Sequence, residues 1–179
     1  MKKRIAKVNI SSAGGTASKG SKTCKVTLPT SWIEALNIHD SQREIVLSFD
    51  GEKIILTPHL DAEDFAAQKQ KQHHAIHKIL FYDNATLCST IYADFIDQTL
   101  AVKNHITDPV KTAFGNNLLP SWQDLQAFLE ERCIPRQRSG LREYLEAINV
   151  YEYDPLAIIQ KTAGRMAEDQ QWLKIEVLG

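Results

Sequence analysis

Hydrophobic and polar positions alternate in short stretches at the start of the chain. Residues 3–10 and 24–28 read as strands, the second setting Val26 and Leu28 between Lys25 and Thr27. Residues 11–22 between them are small residues and lysines that favour neither regular state, so a mobile loop is expected. Pro29 ends the second strand. Ser31 and Glu34 fit a capping box, and Trp32, Ile33 and Leu36 supply the apolar face of a helix of one or two turns. Residues 43–49 and 52–57 flank Asp50-Gly51, the clearest hairpin signal in the chain, for which a type I′ turn is expected. Pro58 closes this unit.

The period then changes. Residues 60–78, rich in Ala, Gln, Lys and His and free of Gly and Pro, read as a helical linker. Three β-branched or aromatic runs, 79–83, 87–95 and 100–106, are separated by Asp83-Asn84 and Asp97-Gln98 and predict a three-stranded meander. Ser121 caps a helix over 122–133 in which Trp122, Leu125, Phe128 and Leu129 fall at helical spacing. Leu141, Tyr144, Leu145 and Ile148 give one apolar stripe to a helix over 140–148. Asp154 as cap, Pro155 at the first position and Gly164 as stop frame a third helix. The expected class is α+β, with domains at 1–58 and 79–179 joined by a helical linker at 59–78. The second domain carries a small antiparallel sheet and a three-helix block.

Composition narrows the class. Of 179 residues, 43% are hydrophobic and 24% charged, a balance that supports a core and excludes disordered, collagen-like or coiled-coil chains. No apolar run nears the roughly 20 residues that span a bilayer. The basic start leads into Ile5-Ala6-Lys7-Val8 rather than an apolar signal core, so a cytoplasmic protein without a membrane partner is expected. Cys24, Cys88 and Cys133 are odd in number and widely spaced, which argues against a disulfide framework or zinc knuckle and for reduced thiols.

Charge placement carries more information. Residues 1–30 hold Lys2, Lys3, Arg4, Lys7, Lys19, Lys22 and Lys25 and no acid, hence +7; with a net charge of -1, the other 149 residues carry -8. A polyanion would meet the basic end first. Lys3, Arg4, Lys7, Lys19, Lys22 and Lys25 are candidates for phosphate contacts to double-stranded DNA. Asn9, Ser11 and Thr23 are candidates for positioning hydrogen bonds. A solvated basic tail is the plain alternative. The first 58 residues have little core of their own, which points to oligomerisation.

Three segments carry a family resemblance: Lys25-Val26-Thr27-Leu28-Pro29, a short helix ending Ala35-Leu36-Asn37-Ile38, and a hairpin closing Lys53-Ile54-Ile55-Leu56-Thr57-Pro58. Over residues 4–58, one third of the chain, they resemble the AbrB/MazE-like (SpoVT-AbrB) swapped-hairpin family. The resemblance implies that two chains interleave their hairpins into a β-barrel-like homodimer with Val26, Leu28, Ile45, Leu47 and Ile55 in its core. It also implies a DNA-binding transcription regulator or a toxin–antitoxin antitoxin, whose C-terminal extension wraps or blocks a toxin. The loop at 11–22 is longer than family members carry, which leaves the base-reading residue open. The C-terminal block resembles uncharacterised domains of bacterial and mobile-element proteins, which implies no activity.

Other patterns carry less. Gly15 and Gly20 are spaced as in a phosphate loop, but Ser21 stands where the lysine is required and a strand follows. His73, His74 and His77 have helical spacing for a shared metal; without a matched carboxylate or fourth ligand they read as linker histidines. No metal or cofactor is expected. Arg132, Arg136, Arg138, Arg165 and Glu168 are candidates for partner binding, the arginines suiting an acidic or phosphorylated partner, and Glu168 or Asp169 is a candidate for acid–base work. The plainer reading pairs Arg165 with Glu168 and Asp169 and lets Trp172 seal a small core. Cys133 beside arginines suits either a lowered pKa or a core position. The sequence thus points to a dimeric, DNA-binding, antitoxin-like and autoregulatory transcription regulator, with residues 79–179 binding a toxin or other protein partner and no enzymatic activity. The alternative is an enzyme or small-ligand-binding protein that uses the C-terminal domain, the N-terminal unit only dimerising.

Overall fold

The computed structural model describes residues 3–13, 18 and 20–179. Among them the fold is mixed α+β, with five α-helices and antiparallel sheets, none closed into a barrel. The chain divides into two units, Met1–His59 and Leu60–Gly179.

In the first unit, β1 (Val8–Ser12) pairs antiparallel with β2 (Lys22–Val26), Val8 opposite Val26 and Ser12 opposite Lys22. The ladder therefore enters the segment expected as a mobile loop, and the Ala13 N–H donates to the Ser21 carbonyl at 2.8 Å beyond it. Paired backbone groups outweigh the weak propensity of Ser11, Ser12 and Lys22. Residues 14–17 and Lys19 of the expected loop lie outside the described residues. Helix α1 (Thr30–Ala35) follows Pro29 without a side-chain cap, so the capping box expected of Ser31 and Glu34 is not formed. The helix starts two residues too early for it: the Pro29 carbonyl accepts from Trp32 and Ile33, which places Ser31 inside the first turn.

Strands β3 (Ile45–Phe49) and β4 (Ile54–Pro58) pair Leu47 with Leu56 and Phe49 with Ile54. The turn is thus Asp50 to Lys53 and not the two-residue type I′ turn expected. The Asp50 carboxylate accepts the N–H groups of Glu52 (2.9 Å) and Lys53 (2.8 Å), stabilising the wider turn, and Gly51 supplies the left-handed φ of 100°. No described side chain of this unit is buried. Leu47, Phe49 and Ile54 are 62%, 70% and 74% exposed.

In the second unit, β5 (Ile76–Asp83), β6 (Thr86–Asp94) and β7 (Thr99–Asn104) form the expected antiparallel meander, with Asn84 and Gln98 at positive φ in its turns. A fourth strand, β8 (Gln171–Leu178), pairs antiparallel with β5 and gives the order β7-β6-β5-β8. One sheet face packs on α3 (Trp122–Glu131), α4 (Leu141–Ala147) and α5 (Pro155–Thr162). The core there joins Ile79, Phe81, Ile91 and Leu173 of the sheet to Leu125, Phe128, Leu145, Ile158 and Ile159 of the helices. Ser121 and Asp124 form a capping box on α3, and Asp154 accepts from the Leu156 N–H at the start of α5.

The other face carries α2 (Ala62–Lys71), whose Ala62, Phe65 and Ala66 stand one helical turn apart and pack on Ile76 and Tyr92. The segment expected as a linker is therefore a helix packed within this unit, followed by the first residues of β5. Its apolar stripe finds a sheet face to cover. Among the described residues no helix is long and apolar enough to cross a membrane.

Candidate functional site

Strand alternation sorts the basic ribbon of β1 and β2 into two faces. Directly opposed residues share a face, so Asn9 with Lys25 and Ser11 with Thr23 form a polar face. Val8 with Val26 and Ile10 with Cys24 form the apolar one, and Ser12 with Lys22 lies at its far end. Lys3, Arg4 and Lys7 are exposed on the approach to β1. The structure thus brings Asn9, Ser11 and Lys25 together and sets Lys22 on the other side; Lys19 lies outside the described residues. Among the described residues of this unit, the ion pairs are Arg43–Asp40 and His59–Glu44, each at 3.4 Å, so no carboxylate neutralises the ribbon. A two-stranded ribbon that carries cations without carboxylate partners presents a positive surface to solvent.

The residues expected in a dimer core are not all on one surface. Ile45 and Leu47 share a face of the second hairpin with Leu56, Phe49 and Ile54, whereas Ile55 lies on the opposite face beside Ser48. Val26 belongs to the apolar face of the first hairpin, and Leu28 follows it.

The C-terminal candidates do not converge. Arg132 is buried, and its guanidinium spends all five N–H groups inside the fold. Nε donates to the Gly164 carbonyl (3.0 Å). The terminal nitrogens donate to both Asp169 oxygens (2.6 and 3.0 Å), Gln171 Oε1 (3.3 Å) and the Gln171 carbonyl (2.9 Å). Arg132 therefore ties the end of α3 to the start of β8 and has no donor left for a partner. Arg165, expected to pair with the neighbouring carboxylates, instead lies over the Trp172 ring at 5.2 Å. Trp172 stacks on Tyr82 at 4.2 Å and donates its indole N–H to the Asn84 carbonyl, on the sheet face away from the helical core. Arg136 pairs with Glu130 and covers Tyr153, while Arg138 and Glu168 are exposed. Cys133 is buried, and burial pushes its thiol up to about 11 despite the adjacent arginines, so it is a core residue and no thiolate nucleophile.

The Arg132 node predicts a large mutational effect. Asp169→Ala leaves a guanidinium with an 8% exposed side chain without its carboxylate. Urea unfolding of the full chain should show a loss of about 3–5 kcal/mol. A loss below about 1 kcal/mol would place the pair with ordinary surface contacts.

Beside this node lies a cavity of about 310 Å³, floored by Phe81 and Phe128, flanked by Met166 and rimmed by Glu131 and Glu168. It joins Arg132 and Glu168 of the expected partner-binding residues and none of the other three.

The three histidines do not share a helix face. Helix α2 ends at Lys71, His73 takes a left-handed φ of 65°, and His77 lies in β5 with its ring edge-on to Phe95. His74 Nδ1 stands 2.7 Å from buried Asp94, which Lys69 also contacts at 3.1 Å; Lys69 bridges on to Asp97. The carboxylates that the sequence reading lacked come from the end of β6 (Asp94) and the turn that follows it (Asp97). The positions of His74, Asp94 and Asp97 would suit a metal ion, but the Lys69 ammonium already supplies the positive charge between the two carboxylates. Burial favours a protonated Asp94, yet bonds from His74, Lys69 and the Ile96 and Asp97 N–H groups outweigh it and lower its pKa from 3.8 to about 2. A carboxylate held below its unfolded value stabilises the fold above that value, and the contribution is lost as pH falls towards 2. It is worth about 2 kcal/mol. The urea midpoint should therefore fall between about pH 5 and pH 2, and Asp94→Asn should remove part of that fall. Identical pH profiles would contradict the role of Asp94.

Comparisons with protein-family models, with curated proteins and with solved structures find no match for this chain.

Proposed function

We propose that the chain is a homodimeric, double-stranded-DNA-binding transcription regulator of AbrB/MazE-like type, antitoxin-like and autoregulatory, whose second unit engages a protein partner. One observation carries the reading: a unit with two amphipathic hairpins, no buried described side chain and an unneutralised basic ribbon. Exposed apolar faces of this extent mark an interaction surface, and a second copy of the same unit supplies faces of the same chemistry. Two-fold pairing doubles the ribbon and hence the number of phosphates it neutralises. Polar residues Asn9, Ser11 and Thr23 then fix the register on the duplex while the lysines supply affinity.

A gel-shift titration with the duplex upstream of the chain's own coding sequence tests this reading. A shift that weakens steeply with added salt is expected; no shift at low salt would reject it. The cavity beside Arg132 favours a second reading, in which the second unit binds a small ligand and the first only dimerises.

A further inference from the structure

We infer that the cavity at the end of α3 binds a small organic cation, an ammonium or guanidinium group on a short apolar stem. The inference rests on the second reading above and is independent of DNA binding, so a failed gel shift leaves it standing and its own failure leaves DNA binding standing.

The volume of about 310 Å³ lies at the lower end of small-ligand sites, which suits a molecule of amino-acid size. Its floor is apolar: Phe81 and Phe128 are buried core aromatics that present surface to the cavity, and Met166 adds an adaptable flank. An arginine in a pocket ordinarily suggests an anion, but this guanidinium is closed. All five donors of Arg132 are engaged, two of them by Asp169, and the pair is neutral.

What remains is negative. Arg132 pairs with Asp169 and Arg136 with Glu130, which leaves Glu131 and Glu168 at the mouth without a cation among the described residues. Glu131 is also the last residue of α3, so the C-terminal end of that helix, where the backbone dipole favours positive charge, borders the same mouth. An ammonium at a mouth that carries both carboxylates, with its stem on the phenylalanines, satisfies both parts of the lining. A carboxylate or phosphate of the same size meets repulsion. The cation can belong to a free amine or to a lysine side chain of a partner.

Calorimetric titration of the full-length protein with phenethylamine and with a capped alanyl-lysyl-alanine peptide distinguishes these sources, with phenylacetate as the anion of matching shape. At least one cation should bind with a Kd on the order of 1 mM, as expected of so small a ligand. Phenylacetate should not. Glu131→Gln combined with Glu168→Gln should weaken the cation about fivefold or more. Thermal unfolding should be unchanged, since both residues are exposed. Binding of phenethylamine alone assigns the site to free amines, and binding of the peptide alone assigns it to a partner's lysine. Absence of binding by both, equal binding of phenylacetate, or undiminished binding by the double variant overturns the inference.

Discussion

Replacing Lys7, Lys22 and Lys25 together with alanine should lower affinity for duplex DNA about a thousandfold or more at low salt and flatten its salt dependence. The three lysines lie on or beside one ribbon with no carboxylate partner, so their charge is available to phosphate. In a dimer the substitution removes six charges. Each phosphate contact contributes about 0.9 to the slope of log affinity against log salt, and a loss of about 5 in slope is expected if all six make contact. The fold should survive, because these side chains are exposed and support no core. An unchanged affinity and slope would remove them from the interface.

The second large effect concerns assembly. Leu28→Asp or Leu47→Asp should abolish the dimer and leave the first unit unfolded. In the proposed homodimer both side chains become core, and a buried, unpaired carboxylate there costs about 3 kcal/mol or more. The isolated unit has no buried described side chain with which to absorb that cost. The second unit has its own core around Ile79, Phe81 and Leu125 and should stay folded. Amide exchange separates the two responses: protection should vanish over residues 45–58 and persist over 76–83. A folded, monomeric first unit in either variant would exclude interleaving.

Elements with local signals were legible in the sequence. The Ser121 and Asp154 caps, the meander turns at Asn84 and Gln98, and the stripes of α3 and α4 each depend on residues a few positions apart. Strand β8 is not among the expected elements although Leu173, Ile175 and Val177 alternate with Lys174 and Glu176; the period-two pattern is short and follows a polar run that carries no strand signal. Helix α2 was found, but its burial depended on a sheet face that local sequence does not show.

The interactions that shape the candidate sites are long-range. Arg132 meets Asp169 across 37 positions and His74 meets Asp94 across 20, so neither partner could be read from spacing. Arg165 was the nearer arginine in sequence, yet Gly164 decides the matter. At a positive φ of 58°, it lets the chain pass so close to Arg132 that an added Cβ would stand 3.2 Å from the Arg132 Cβ. That approach delivers the carboxylate of Asp169 to the end of α3. In the basic segment, by contrast, charge alone marked the ribbon; pairing then showed which side each residue takes.

Sedimentation velocity of the full-length protein with its upstream duplex at low ionic strength tests the central proposal most directly. Two chains of 20.2 kDa each should travel together on one duplex and leave it as salt rises. A single chain sedimenting apart from the duplex at every ionic strength would contradict it.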